Sequence, residues 1–124
     1  MPENSFRVES LPEFLEHVAL VTDVDNYDKS AEAVTVMTLH SSKGLEFKTV
    51  FMTGMEEGLF PHLRALESES EMDEERRLCY VGMTRAKKRL YMTYARQRVI
   101  HGMMSSTLSS RFLSEIDPGL VDRI

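Results

Sequence analysis

A single cysteine, Cys79, stands in the 124 residues. An internal disulfide is therefore excluded, and the usage fits a reducing, cytoplasmic compartment. No run approaches the ~20 apolar residues of a membrane span, so no membrane partner is expected. The polar start Pro2-Glu3-Asn4-Ser5 is not that of a signal peptide. Positive charge is not in excess: the net charge of −5 argues against a surface that holds nucleic acid by bulk charge, and any such contact must be local. Metal-ligand spacing is missing too, because His17, His40, His62 and His101 are scattered and none pairs with Cys79, which argues against a zinc site. The phosphate-loop pattern G-x-x-x-x-G-K-[ST] is absent, although Lys43-Gly44 is present. There is no internal repeat and no low-complexity block.

What is present is one domain's worth of soluble chain, or a piece of a larger one, with 42% hydrophobic and 28% charged residues. Residues 1–9 show no periodicity and read as a flexible lead-in. Ser10 and Glu13 have capping-box spacing, and Leu11, Phe14, Leu15 and Val18 follow helical spacing, so a helix is expected over 11–22. Asp23 to Ala33 reads as a solvated loop. The β-branched run Val34–Leu39 suits a buried strand. Thr49–Gly54 is a second strand candidate, either beside the first or reached by a tight crossover through a helical turn over 43–47. Residues 54–61 form a turn-rich loop stopped by Pro61. The acidic segment 64–73 is either a mobile surface stretch or the run-up to a helix over 72–88. Glu74 and Glu75 suit the start of that helix and Lys87 and Lys88 its end. A strand over 90–95 follows, then a short edge strand within 96–102 and a terminal helix over 109–116. Strand, short crossover, strand, helix, strand is the order of an α/β fold with a mainly parallel sheet and flanking helices. Ligands in such sheets sit at the carboxyl ends of the strands, and the loops carrying His40 and Arg85 can both be brought to that edge.

Residue chemistry leaves each of these features open. On a helical face, Arg85 lies one turn beyond Val81, where its fork of donors suits a phosphate or carboxylate. It equally suits a surface arginine whose stem packs on the core. His40 serves as a loop hydrogen-bonding residue or as a ligand contact. Ser41 and Ser42 have no positioned base beyond nearby His40. Cys79 is most simply a core residue. Glu75, Arg76 and Arg77 are assigned first to ion pairs that orient their helix.

Taken together, the motifs narrow the choice. The stretch Val36-Met37-Thr38-Leu39-His40-Ser41-Ser42-Lys43-Gly44-Leu45-Glu46-Phe47 closely resembles motif V of the superfamily-one DNA helicases of the UvrD/PcrA/Rep type. Gly54-Met55-Glu56-Glu57-Gly58-Leu59-Phe60-Pro61 resembles the segment that follows it. Glu74-Glu75-Arg76-Arg77-Leu78-Cys79-Tyr80-Val81-Gly82-Met83-Thr84-Arg85-Ala86 resembles motif VI, and Ser110-Arg111-Phe112-Leu113 the family's ending. The resemblance covers residues 10–116, leaving 117–124 as a tail. Ser42 and Cys79 stand where the family commonly has Ala.

The resemblance implies a partial RecA-like domain, the later half of the second such domain of a helicase moving 3′ to 5′. It implies Arg85 as the arginine finger at the γ-phosphate of ATP, and Gly44 and Glu46 at the nucleotide, with Glu46 accepting from the ribose. Thr38 and His40 would face single-stranded DNA, touching phosphate or sugar rather than reading bases. ATP with Mg²⁺ would be held mainly by the first RecA-like domain, whose Walker A and B motifs are absent here. The chain alone is then expected to hydrolyse no ATP and to work with the remainder of the helicase chain, and an exposed sheet edge would allow dimers. The rival reading is a non-enzymatic helicase-like interaction module.

Overall fold

The computed structural model describes residues 28, 30 and 32–124. The lead-in over 1–9 and the helix expected over 11–22 lie outside the described residues. The chain divides into two compact units, Met1–Met37 and Thr38–Ile124. In the first, Ser30 turns back on Asp28, its backbone N–H and its hydroxyl both donating to Asp28 Oδ1 at 2.8 and 2.6 Å.

The second unit is α/β. Among the described residues its elements are a 3-10 turn at His40–Ser42, strand β1 (Phe47–Met52), a 3-10 turn at Leu63–Glu67, helix α1 (Glu69–Met83), strand β2 (Ala86–Met92), strands β3 (Gln97–Ile100) and β4 (Met103–Ser106), helix α2 (Arg111–Ser114) and a last 3-10 turn at Pro118–Leu120. β1 pairs in parallel with β2, Thr49 opposite Arg89 and Met52 opposite Met92, so β1, α1 and β2 make one crossover unit. β3 and β4 form a separate antiparallel hairpin. Its two-residue turn, His101-Gly102, has φ of 51° and 79°, the positive values that a tight hairpin of this twist demands.

Helix α1 starts where Ser68 Oγ accepts from Glu71 N at 3.4 Å, with Glu69 and Glu71 at the positive end of the dipole. Met72, Cys79 and Gly82 are its buried residues, a stripe of helical period. That stripe meets Met52, Met55, Ala65 and Phe112 in the core, flanked by Leu39, Val50, Phe60, Leu90 and Met92. Phe60 and Phe112 meet edge to face with centroids 5.5 Å apart. Gly82 is a point of close approach: a Cβ there would lie 2.6 Å from Leu39 Cδ2 and 3.0 Å from Met52 Cε.

Several expectations are corrected. Val34–Leu39 forms no strand among the described residues, and Val34 and Val36 are each 91% exposed. A β-branched run becomes a buried strand only with neighbours to pair with, and the described strands supply none. The helix expected over 72–88 runs from Glu69 to Met83. Its end comes early because Ala86–Met92 is taken up by pairing with β1, so Lys87 and Lys88 stand on a strand and not at a helix terminus. The turn expected over 43–47 is formed earlier, at His40–Ser42. The edge strand in 96–102 is the first arm of a hairpin whose return arm, Met-Met-Ser-Ser, carries no β-branched residue to mark it. Among the described residues the strands make one parallel pair and one antiparallel pair.

Candidate functional site

The two loops singled out in the sequence meet. Phe47 N donates to Arg85 O at 2.8 Å, where β1 and β2 begin side by side. They meet at the amino ends of β1 and β2, not at the carboxyl edge expected from the general rule for such sheets. With Val34–Leu39 outside any sheet, the His40 loop enters β1 from its amino end.

Arg85 lies two residues past α1, and its side chain folds back over the helix end. Nε donates to Val81 O at 3.0 Å, Nη1 to Leu45 O at 3.1 Å and Nη2 to Thr84 Oγ1 at 3.0 Å. The nearness to Val81 expected from helical spacing is thus achieved by the side chain and not by helical position. The last carbonyls of a helix lack internal partners and form its negative end, which favours a cation there. Of the five N–H donors of a guanidinium, two remain without a partner among the described residues, one on each Nη.

On the facing loop, Gly44 has φ +83°, a value a side chain strains to adopt, and among the described residues beyond its chain neighbours nothing lies within 4 Å of where its Cβ would be. Glu46 is exposed, with Oε2 3.5 Å from Lys87 Nζ on β2. Thr38 Oγ1 accepts from Ser41 N at 3.2 Å and shares a hydrogen bond with Ser41 Oγ at 2.9 Å, so its hydroxyl helps hold the turn that presents His40. Ser42, buried, donates from Oγ to Leu39 O at 2.6 Å. His40 is exposed at the start of that turn. Arg85, Gly44 and Glu46 are therefore drawn into one neighbourhood through Leu45 and Phe47. Thr38 and His40 stand on the turn leading into it.

Three participants escaped the sequence reading. Leu45 acts through its carbonyl, which no side-chain pattern reveals. Thr84 was legible in principle, since a Thr at a helix end bonds readily to the carbonyl three residues back. Lys87 was placed on the wrong element. The ion pairs assigned to the helix do form: Arg76 with Asp73 at 2.7 Å and Glu115 at 3.0 Å, and Arg77 with Glu74. Glu75 Oε2 instead accepts from the backbone N–H of His62 at 2.8 Å. Cys79 is in the core, where burial pushes its thiol up to about 11.

The loop that follows β1 is fastened by consecutive glutamates. Buried Glu56 accepts from Ala95 N and from Arg98, while Glu57 accepts from Arg111 N, Nε and Nη2. Hydrogen bonds from Arg98 and from Arg111 hold the respective carboxyls below their ordinary 4.5, against the opposing effect of burial.

An α/β crossover unit with these loops paired at its edge agrees with what comparison shows. Residues 2–97 match the model of the UvrD-like helicase C-terminal domain, and the chain belongs to that family. It is 53% identical over 116 residues to the ATP-dependent DNA helicase PcrA of Staphylococcus epidermidis, covering 92% of this chain and 16% of that protein. The ATP-dependent DNA helicase PcrA of Bacillus subtilis is 47% identical over 121 residues, covering 93% of this chain and again 16% of the relative. The chain thus spans about a sixth of the length of the curated relatives it matches.

Proposed function

We propose that this chain is the C-terminal motor segment of an ATP-dependent DNA helicase moving 3′ to 5′, built as the later part of its second RecA-like domain. Arg85 is the arginine finger, Glu46 takes the ribose hydroxyls, Gly44 lets backbone approach the nucleotide, and Thr38 and His40 face single-stranded DNA. The observation that carries this reading is the bond from Arg85 Nη1 to Leu45 O, 3.1 Å, which puts the finger one residue from both Gly44 and Glu46. A cationic fork beside a transferring phosphoryl group neutralises the charge that grows there in the transition state.

The residues fit the rim of a nucleotide and not its metal. Two N–H donors of Arg85 have no partner among the described residues, and the space beside Gly44 is open. Among the described residues no group of three His, Cys, Asp or Glu could hold a metal ion. With no G-x-x-x-x-G-K-[ST] pattern in these 124 residues, ATP with Mg²⁺ would rest mainly on the remainder of the helicase chain, and the chain alone would not turn over ATP. The cytoplasm, where chromosomal DNA and ATP meet, is the fitting location.

The test is ATPase activity after mixing the chain with the complementary remainder of a PcrA-type helicase, with and without single-stranded DNA. DNA-stimulated turnover only in the mixture, lost with Arg85→Ala, is the expected result. Association without turnover would favour the non-enzymatic interaction module.

A further inference from the structure

The guanidinium of Arg85 is held by its chain neighbour, Thr84. Thr84 is exposed, outside the core, and takes the position that closes α1. Its hydroxyl has one proton, which goes to Val81 O at 2.8 Å. That leaves the oxygen's lone pairs for a donor, and Arg85 Nη2 supplies it at 3.0 Å. Val81 O also accepts from Arg85 Nε at 3.0 Å, so one helix-end carbonyl anchors both residues. With Leu45 O taking Nη1, the guanidinium is fixed at all three nitrogens by groups on two elements. Two of these three acceptors are main-chain carbonyls, which substitution cannot remove. Thr84 Oγ1 is the only side-chain acceptor among them.

We infer that Thr84 is a positioning residue for Arg85: its hydroxyl, oriented by Val81 O, sets the direction of the guanidinium and so aims the two remaining N–H donors. The inference rests on the reading of Arg85 as the group that meets the terminal phosphate. An arginine side chain free to rotate must be ordered during each turnover, whereas one already held loses little further freedom. The hydroxyl therefore acts on the chemical step and not on the affinity for nucleotide.

Thr84→Val keeps the branched shape and removes the acceptor, and Thr84→Ser restores it. The full 124-residue chain, labelled with ¹⁵N, reports the fork directly. Hindered rotation should give Arg85 separately resolved Nη proton signals, retained in Thr84→Ser and merged in Thr84→Val. In Bacillus subtilis PcrA carrying this chain as its matching segment, Thr84→Val should lower kcat for DNA-stimulated ATP hydrolysis about 10-fold. KM for ATP should stay near its starting value, and Thr84→Ser should recover most of the rate. Unchanged Arg85 signals, or an unchanged kcat in Thr84→Val where Arg85→Ala has lost turnover, would overturn the inference alone. If Arg85→Ala itself turned over ATP normally, the finger reading and the inference would fall together. A thermal melt of each variant identifies a Thr84→Val that fails to fold, and Thr84→Ala then takes its place.

Discussion

Arg98 grips the carboxylate of Glu56 at two points, Nε to Oε2 at 2.9 Å and Nη2 to Oε1 at 2.8 Å, across 42 residues of sequence. Glu56 is buried while Arg98 keeps contact with water, so the acid carries most of the desolvation and the base screens it. The folded-state carboxyls of Glu56 and Glu57 both titrate below the ordinary 4.5. Their stabilisation is complete above that value and is withdrawn below it, as pH falls through the lowered folded-state values. Urea midpoints should accordingly drop on acidification below about 4.5. Glu56→Gln should lower the midpoint at neutral pH and flatten the acid limb; an equally steep limb would show that other groups govern it.

Arg85→Ala in the helicase-length protein should reduce ATP turnover by ~10³-fold or more with a smaller effect on nucleotide binding. Arg85→Lys should not restore it, because a point charge reproduces neither the fork nor its hold on Val81 O and Leu45 O. Steady-state kinetics beside a nucleotide-binding titration checks both.

His40→Ala should weaken DNA-stimulated activity more than basal ATPase, since His40 is exposed on the turn and no hydrogen bond ties its side chain to Arg85, Gly44 or Glu46 among the described residues. Equal loss in both assays would remove His40 from the DNA side.

At Gly82, a Cβ would meet the far ends of Leu39 and Met52, which can move. Gly82→Ala should therefore cost little net, the crowding being offset by about 1 kcal/mol of helix propensity. Gly82→Val has no such relief and should destabilise by about 1–3 kcal/mol, read from urea unfolding.

The Cys79 thiol, in the core and pushed up to about 11, is almost wholly protonated at pH 8. Iodoacetamide should leave it unmodified in the native chain and label it readily in urea.

How far the sequence could be read depends on where each signal is written. The apolar stripe of α1 and the β-branched pair Thr49-Val50 within β1 are side-chain signals, and both elements were found within a few residues. The end of α1 was not, because Ala86–Met92 leaves helical geometry for a partner strand about 40 residues upstream, and Lys87-Lys88-Arg89 has no strand propensity of its own to announce it. Val34–Leu39 had the propensity and lacked the partner. At the site, Arg85 stood out as a residue type, and Glu46 and Gly44 came from the motif resemblance. Their meeting at the amino ends of the strands was hidden because backbone bonds create it: Phe47 N to Arg85 O, and Arg85 to the Leu45 carbonyl.

The ladder between β1 and β2 has a consequence for how the site comes into being. Phe47 and Ala86 are partners at its first rung, beside the bond from Arg85 Nη1 to Leu45 O, so the His40–Glu46 loop and the Arg85 junction come together where the ladder starts. Closing that long loop is entropically unfavourable until the strands zip and Met52 and Met92 reach the core beside it. A chain with α1 formed but the ladder unmade has Arg85 and Glu46 on independent tethers. Assembly of this edge is therefore coupled to the pairing of β1 with β2.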